Sequence, residues 1–296
     1  MINNVNFITM ENIINLIINK NYFNLKNNEK LRFKLRLYIT SLLSIIYNFL
    51  PNPKLITIFK ICLSDKSINH KNLYNLLQYS VKKRKIRNIL EIGIGGHNKK
   101  YSGGHSLIAL KNYFTNAKIL GIDIINKKFL DDKRIKTLIC SQSNKKKQNI
   151  IGKSYGPFDI IIDDGSHFTH HQKISFEVFF KHLKPGGIYV IEDIQGTYTK
   201  AWGGDPDLKE KNLVSFFSTK THSVNLEYMN KKNIKKINSY KEIGKIFFIK
   251  NSIFIEKRNY IEKKYRTDIS AYESLYEKNK RLNLRKTNEG FYNKKS

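Results

Sequence analysis

From residue 88 onward the chain alternates between short apolar runs and stretches of helical length. Runs at 88–93, 118–123, 136–140, 158–163 and 187–192 are rich in Ile, Val and Leu. Continuous β-branched runs of this length predict strands buried on both faces, as in parallel sheets. Residues 105–114 and 170–183 between them predict helices, and Lys184-Pro-Gly-Gly187 predicts a turn that resets the chain for the fifth strand. Two last β-rich runs, Lys245 to Lys250 and Ser252 to Glu256, meet at Asn251 and predict a closing antiparallel hairpin. The expectation is an α/β fold with a doubly wound, mostly parallel, seven-stranded sheet.

Ahead of the first strand the spacing is helical. Residues 5–25 and 30–50 carry apolar side chains at helical intervals, Pro51 and Pro53 end the second segment, and 54–63 and 70–82 predict shorter helices. The expected organisation is a helical cap over 1–87, a sheet domain over 88–257 and a basic, polar tail over 258–296. Leu37 to Leu50 is the most apolar stretch, but its fourteen residues fall short of the roughly 20 needed to cross a bilayer. Lys30, Arg32, Lys34 and Arg36 precede it, so docking on a membrane surface is one reading. A helix of an N-terminal bundle is the favoured one.

Charge changes this picture less than its size suggests. The formal net charge is +30, with +12 over residues 1–88, +6 over 89–205 and +12 over 206–296. Basic flanks are what a nucleic-acid or acidic-lipid surface would show. Yet 45 of the 54 basic residues are Lys and 9 are Arg, and Asn and Ile are abundant alongside them. Arg, the residue suited to bidentate phosphate contacts, is scarce, so compositional drift is favoured over nucleic-acid binding. Two cysteines, Cys62 and Cys140, make neither a disulfide framework nor a metal motif, which fits a reducing, cytoplasmic setting. Met1 to Met10 has neither a basic start nor a small-residue cleavage site, so no secretory leader is expected.

Candidate chemistry collects at the ends of the predicted strands, where open α/β sheets bind ligands. The first strand ends in Glu91-Ile-Gly-Ile-Gly-Gly96, an acidic-x-Gly-x-Gly turn of the kind that cradles S-adenosylmethionine. Its other reading is a plain tight turn. Asn98 stands where a dinucleotide fingerprint would need glycine, which disfavours a nicotinamide enzyme. Asp123 closes the second strand, where a carboxylate can accept ribose hydroxyls or simply cap the next segment. The fourth strand ends in Asp163-Asp-Gly-Ser-His167 and the fifth in Glu192-Asp193. Converging carboxylates repel unless neutralised, and a hard divalent cation is the simplest remedy, with Asp164, Glu192 and Asp193 as its ligands. Helix capping or pairing with lysine is the alternative for one acid of each pair. His167, three residues past Asp164, is positioned as a general base, imidazole titrating near about 6.5. His170 and His171 could add to a zinc site with His167, but the acidic helper motif is missing and carboxylates dominate.

The ordered set Leu90-Glu-Ile-Gly-Ile-Gly-Gly96, Ser102-Gly-Gly-His-Ser-Leu107, Gly121-Ile-Asp-Ile124, Ile162-Asp-Asp-Gly-Ser-His167, Pro185 to Asp193 and Thr197-Tyr with Trp202-Gly-Gly204 resembles the macrolide-sugar O-methyltransferases. The likeness covers roughly residues 88–205 and the hairpin near 245–256. It implies a class I, Rossmann-like methyltransferase fold, S-adenosylmethionine as methyl donor and a magnesium ion. Asp164, Glu192 and Asp193 would hold the metal, and His167 would be the base. Glu91, Gly93, Gly95, Asp123, Gln142 and Asp163 would form the cofactor site, with Ser106 nearby. The chain departs from the resemblance at Ser141, where the family often carries an acid before the glutamine. The implied substrate is a hydroxyl of a sugar, glycan or glycosylated small molecule, and the implied assembly a homo-oligomer. Two rival readings remain: an RNA methyltransferase using the basic flanks, and a non-catalytic module at a membrane surface.

Overall fold

A computed structural model describes residues 29–96, 101–209, 212–229 and 240–259. The helix expected over 5–25, part of the loop after the first strand and the tail beyond Asn259 lie outside the described residues. The predicted sheet is present. Strands β1 (Asn88–Ile92), β2 (Lys118–Asp123), β3 (Ile135–Ile139), β4 (Phe158–Asp163), β5 (Leu183–Glu192), β6 (Ile243–Ile249) and β7 (Ser252–Lys257) form one sheet in the order β3-β2-β1-β4-β5-β7-β6. β1 to β5 pair in parallel, and β7 runs antiparallel to β5 and β6. The order reverses between β1 and β4, so a crevice opens at their carboxyl ends.

Each strand sends alternate side chains into two cores. On one face Ile89, Ile160, Ile162, Ile188, Val190 and Phe254 pack with the helical cap. On the other, Leu90, Ile92, Ile161, Tyr189, Ile191 and Ile253 pack with the helices that follow β3 and β4. The cap contains α1 (Glu29–Asn48), α2 (Leu55–Ile61), α3 (Lys66–Asn69) and α4 (Lys71–Ser80). Leu55, Phe59, Leu73 and Leu77 from it are fully buried in the first core. α1 behaves differently from the buried bundle helix expected. It buries only Leu37, Thr40 and Ser44, while Tyr38, Leu42 and Ile46 are exposed.

Two boundaries and one helix differ from the sequence expectation. The helix after β4, α7 (Thr169–Phe179), stops early and gives way to a 3-10 turn at Phe180–His182. β5 therefore starts at Leu183, pairs with Phe158, and resumes its ladder only at Ile188 opposite Ile160. Lys184 to Gly187 make an irregularity within the strand, with Gly186 at φ 72°, where a free-standing turn was expected. α6 (Lys145–Tyr155) was not predicted at all. Its three leading lysines and Gly152 conceal a weak apolar face, and it buries Gln148, Ile151 and Gly152. Asn144 caps it, accepting the Lys147 N–H at 2.9 Å. α5 (His105–Tyr113) matches its predicted span.

Candidate active site

The crevice at the strand ends is a cleft of about 910 Å³. Gly93, Gly95, Ser106, Asp123, Gln142, Asp164, His167 and Asp193 line it, whereas Glu91, Asp163 and Glu192 lie behind its walls. The division follows from the pleat. Register pairs Glu91 with Ile162 and Asp163 with Ile191, so Asp164 stands level with Glu192. Glu91, Asp164 and Glu192 share the face covered by the cap, and Asp163 turns to the opposite face. Adjacent acids thus enter separate environments.

On the far face, Asp163 is fully buried. It accepts the Gln142 Nε2 at 2.7 Å and the Tyr189 hydroxyl at 3.2 Å. Burial pushes its carboxyl up to about 8. Gln142 spends its amide on these loops, because its Oε1 accepts the Ser166 N–H at 2.6 Å. It fastens the end of β3 to the end of β4 while facing the cleft. Asp123 likewise anchors backbone, Oδ2 accepting the Ile94 N–H and Oδ1 the Ile125 N–H, both at 2.8 Å. A carboxylate has about four lone-pair positions, so two remain for a ligand hydroxyl. Gly93 sits at φ 86°, and a Cβ there would collide with the Asp164 carbonyl, so the first and fourth strand ends touch through a glycine.

On the cap face the carboxylates meet a cation that sequence reasoning missed. Lys66 Nζ lies 2.6 Å from Asp164 Oδ2, 2.8 Å from Glu192 Oε1 and 3.4 Å from Glu91 Oε1. Burial works against its ammonium, but Asp164, Glu192, Tyr74 and Glu91 together hold it well above the ordinary lysine range. His70 Nε2 lies 3.3 Å from Glu192 Oε2 and 3.4 Å from Asp193 Oδ1, and the Tyr74 hydroxyl donates to Glu192 Oε1. Burial pulls the His70 imidazole down, but Asp193 and Glu192 outweigh it and raise its pKa. Part of the neutralisation assigned to a divalent cation is thus supplied by the protein. Lys66, His70 and Tyr74 are spaced i, i+4, i+8 in the chain, with Lys66 on α3, His70 at the break between the helices and Tyr74 on α4. That spacing was legible, but one lysine among 45 gave no reason to choose it.

Glu91 is fully buried, with the Lys66 ammonium 3.4 Å from its Oε1. Burial pushes its carboxyl up to about 7 against the pull of Lys66. Asp164, His167 and Asp193 each turn one ligand atom to a common point, these atoms lying within 4.8 Å of one another. His167 Nε2 is 3.7 Å from Asp193 Oδ2, and Asn251 donates to Asp193 Oδ1 at 2.7 Å. His167 and Asp193 both hold left-handed backbone, at φ 60° and 53°. Such conformations cost about 1–3 kcal/mol each and concentrate at functional sites. His170 and His171 belong to α7, where Ser166 Oγ meets His171 Nδ1 at 2.8 Å. Asp164 and Asp193, with Glu192 behind them, offer hard carboxylate oxygens that fit a small divalent ion, and His167 Nε2 stands beside them. The glycine turn and Asp123, which line the cleft, fit an adenosyl ligand.

A chain of 122 matched residues, 41% of this one, is 43% identical to mycinamicin VI 2''-O-methyltransferase of Micromonospora griseorubida, covering 31% of that protein. Over 171 residues, 57% of this chain, identity is 33% to 8-demethyl-8-alpha-L-rhamnosyl tetracenomycin-C 2'-O-methyltransferase of Streptomyces olivaceus, 45% of which is covered. The MycE methyltransferase of the mycinamycin biosynthetic pathway, solved with Mg and SAH, superposes with a TM-score of 0.66 at 29% identity. That match covers 77% of this chain and 60% of MycE. This is a class I methyltransferase fold. It resembles the macrolide-sugar O-methyltransferases, as the sequence motifs implied. No family model matches the chain. The chain spans less than half the length of these curated relatives. No helix among its described residues is long and apolar enough to cross a membrane.

Proposed function

We propose that this chain is an S-adenosylmethionine- and magnesium-dependent O-methyltransferase acting on a sugar hydroxyl of a glycosylated small molecule. One observation carries the reading: Asp164, His167 and Asp193 converge in a cleft that the glycine turn and Asp123 also line. The relatives that are sugar O-methyltransferases, and MycE with Mg, SAH and mycinamycin VI, support the same class. Asp123 and the β1 glycines would hold the cofactor, and Asp164, Glu192 and Asp193 the metal.

When bound, S-adenosylmethionine supplies a methyl on a sulfonium, and magnesium supplies Lewis-acid stabilisation of an alkoxide. The protein's residues do the rest. His167 takes the acceptor hydroxyl proton at Nε2, its Nδ1 being shut away from solvent. Asp193 lies 3.7 Å from that nitrogen and stabilises the resulting imidazolium. S-adenosylmethionine held by Asp123 and the β1 glycines would supply the methyl group to that oxygen and leave as the neutral thioether. Fixing both reactants in one cleft removes much of the entropic barrier.

Calorimetric titration with S-adenosylmethionine and with MgCl2, alongside methyl transfer to rhamnosyl or macrolide glycosides, tests this. Wild type should bind both, Asp164→Asn should lose the magnesium isotherm, and His167→Ala should bind the cofactor while losing at least about 100-fold in turnover. Absence of cofactor binding would sink the reading. Undiminished turnover in His167→Ala would remove that residue from the mechanism.

A further inference from the structure

The acid cluster under the cleft is closed by a cation from its own chain. Lys66 is 1% exposed, its ammonium bonded to Asp164 Oδ2 and Glu192 Oε1 and close to Glu91. The segment that brings it there is part of the site. Leu63 and Lys66 line the same cleft as Asp164 and Asp193, and Leu63 takes left-handed backbone at φ 61°. His70, four residues on, fixes Glu192 and Asp193 and meets Ser252 Oγ at 3.0 Å.

A divalent ion on these carboxylates would need oxygens at about 2.0–2.6 Å. Asp164 Oδ2 and Glu192 Oε1 already face Lys66 Nζ at hydrogen-bond distance. Two cations sharing those oxygens would stand only a few ångströms apart in a buried site, where their repulsion is weakly screened. We propose that Lys66 is an internal counter-cation that competes with the divalent ion for Asp164 and Glu192. It keeps the carboxylates assembled without metal and lowers the affinity with which metal binds. The inference rests on the metal-dependent reading above. A purely structural ion pair would instead leave metal affinity unchanged or, by loosening the acids, weaken it.

Mn2+ titration of the full chain, read as free Mn2+ by electron paramagnetic resonance, separates the two. Lys66→Met should bind Mn2+ at least about ten-fold more tightly than wild type, because a nearby positive charge is gone. The same ion should raise its Tm more than that of wild type, since stabilisation grows with affinity. Lys66→Met leaves buried acids unpaired, so Lys66→Met/Glu91→Gln is the companion variant. It removes the ammonium with one of its acids, conserves net charge, and should also bind more tightly. Unchanged or weaker Mn2+ binding in a folded variant overturns the competition while wild-type binding preserves the metal-dependent reading. Binding only in the variants supports the competition in its strongest form. No Mn2+ binding by any of the three proteins overturns both.

Discussion

Neighbouring carboxylates in this chain do different work because a strand turns each successive side chain to the opposite face. Asp163 is shut behind Gln142 and Tyr189, while Asp164, one residue on, faces Lys66 and the cleft. Motif reading could place the pair at a strand end, but not say which member reaches a ligand. Gly93 is the tightest residue-scale constraint. Its positive φ and its approach to the Asp164 carbonyl leave no room for a methyl group. Gly93→Ala should cost at least about 1 kcal/mol, seen in the urea midpoint, and should weaken S-adenosylmethionine binding by displacing Asp164. An unshifted midpoint with unchanged cofactor affinity would contradict that account. Lys66 belongs to this scale too: a single buried ammonium decides how several acids are shared.

At the scale of elements, the two cores assign separate duties. Helices α1 to α5 on one face carry the cation, imidazole and phenol that set the acids, and α7 on the other braces the strands from behind. Phe176 on α7 is fully buried and packs against Phe180, Tyr189 and Phe217, with ring centroids 4.8 to 5.3 Å away. Tyr189 in turn donates to Asp163. Phe176→Ala should therefore lower stability by about 3–5 kcal/mol, measured by denaturant unfolding. A loss below about 1 kcal/mol would mean that the aromatic cluster collapses around the gap. The strand-end motifs and all seven strands were legible, five as apolar runs with sharp polar ends and two as the closing hairpin. α6 and the irregular start of β5 were not, because tertiary packing formed them against weak local signals.

For the whole molecule, the net charge of +30 is the feature most easily over-read. The interior uses some of these lysines individually, as with Lys66 on the acids and Lys257 Nζ on the Phe180 and Leu183 carbonyls at 3.2 and 3.0 Å. Under the sugar reading, RNA should bind weakly, lose that binding as salt rises from 50 to 200 mM as any polycation's contact does, and receive no methyl group. Salt-resistant RNA binding with methyl transfer would reverse the assignment of substrate. The sequence by itself determined the α/β alternation, the sheet's closing hairpin and the set of acids, glycines and histidine at the strand ends. Those are local patterns, written in hydrophobic period and turn chemistry. Only the tertiary structure decided which acids face the cleft and which are sealed, and that Lys66, His70 and Tyr74 meet Asp164 and Glu192 across separations of 98 to 126 residues. Side-chain contact between distant segments depends on strand register and on how the cap docks, and neither leaves a periodic mark in the chain.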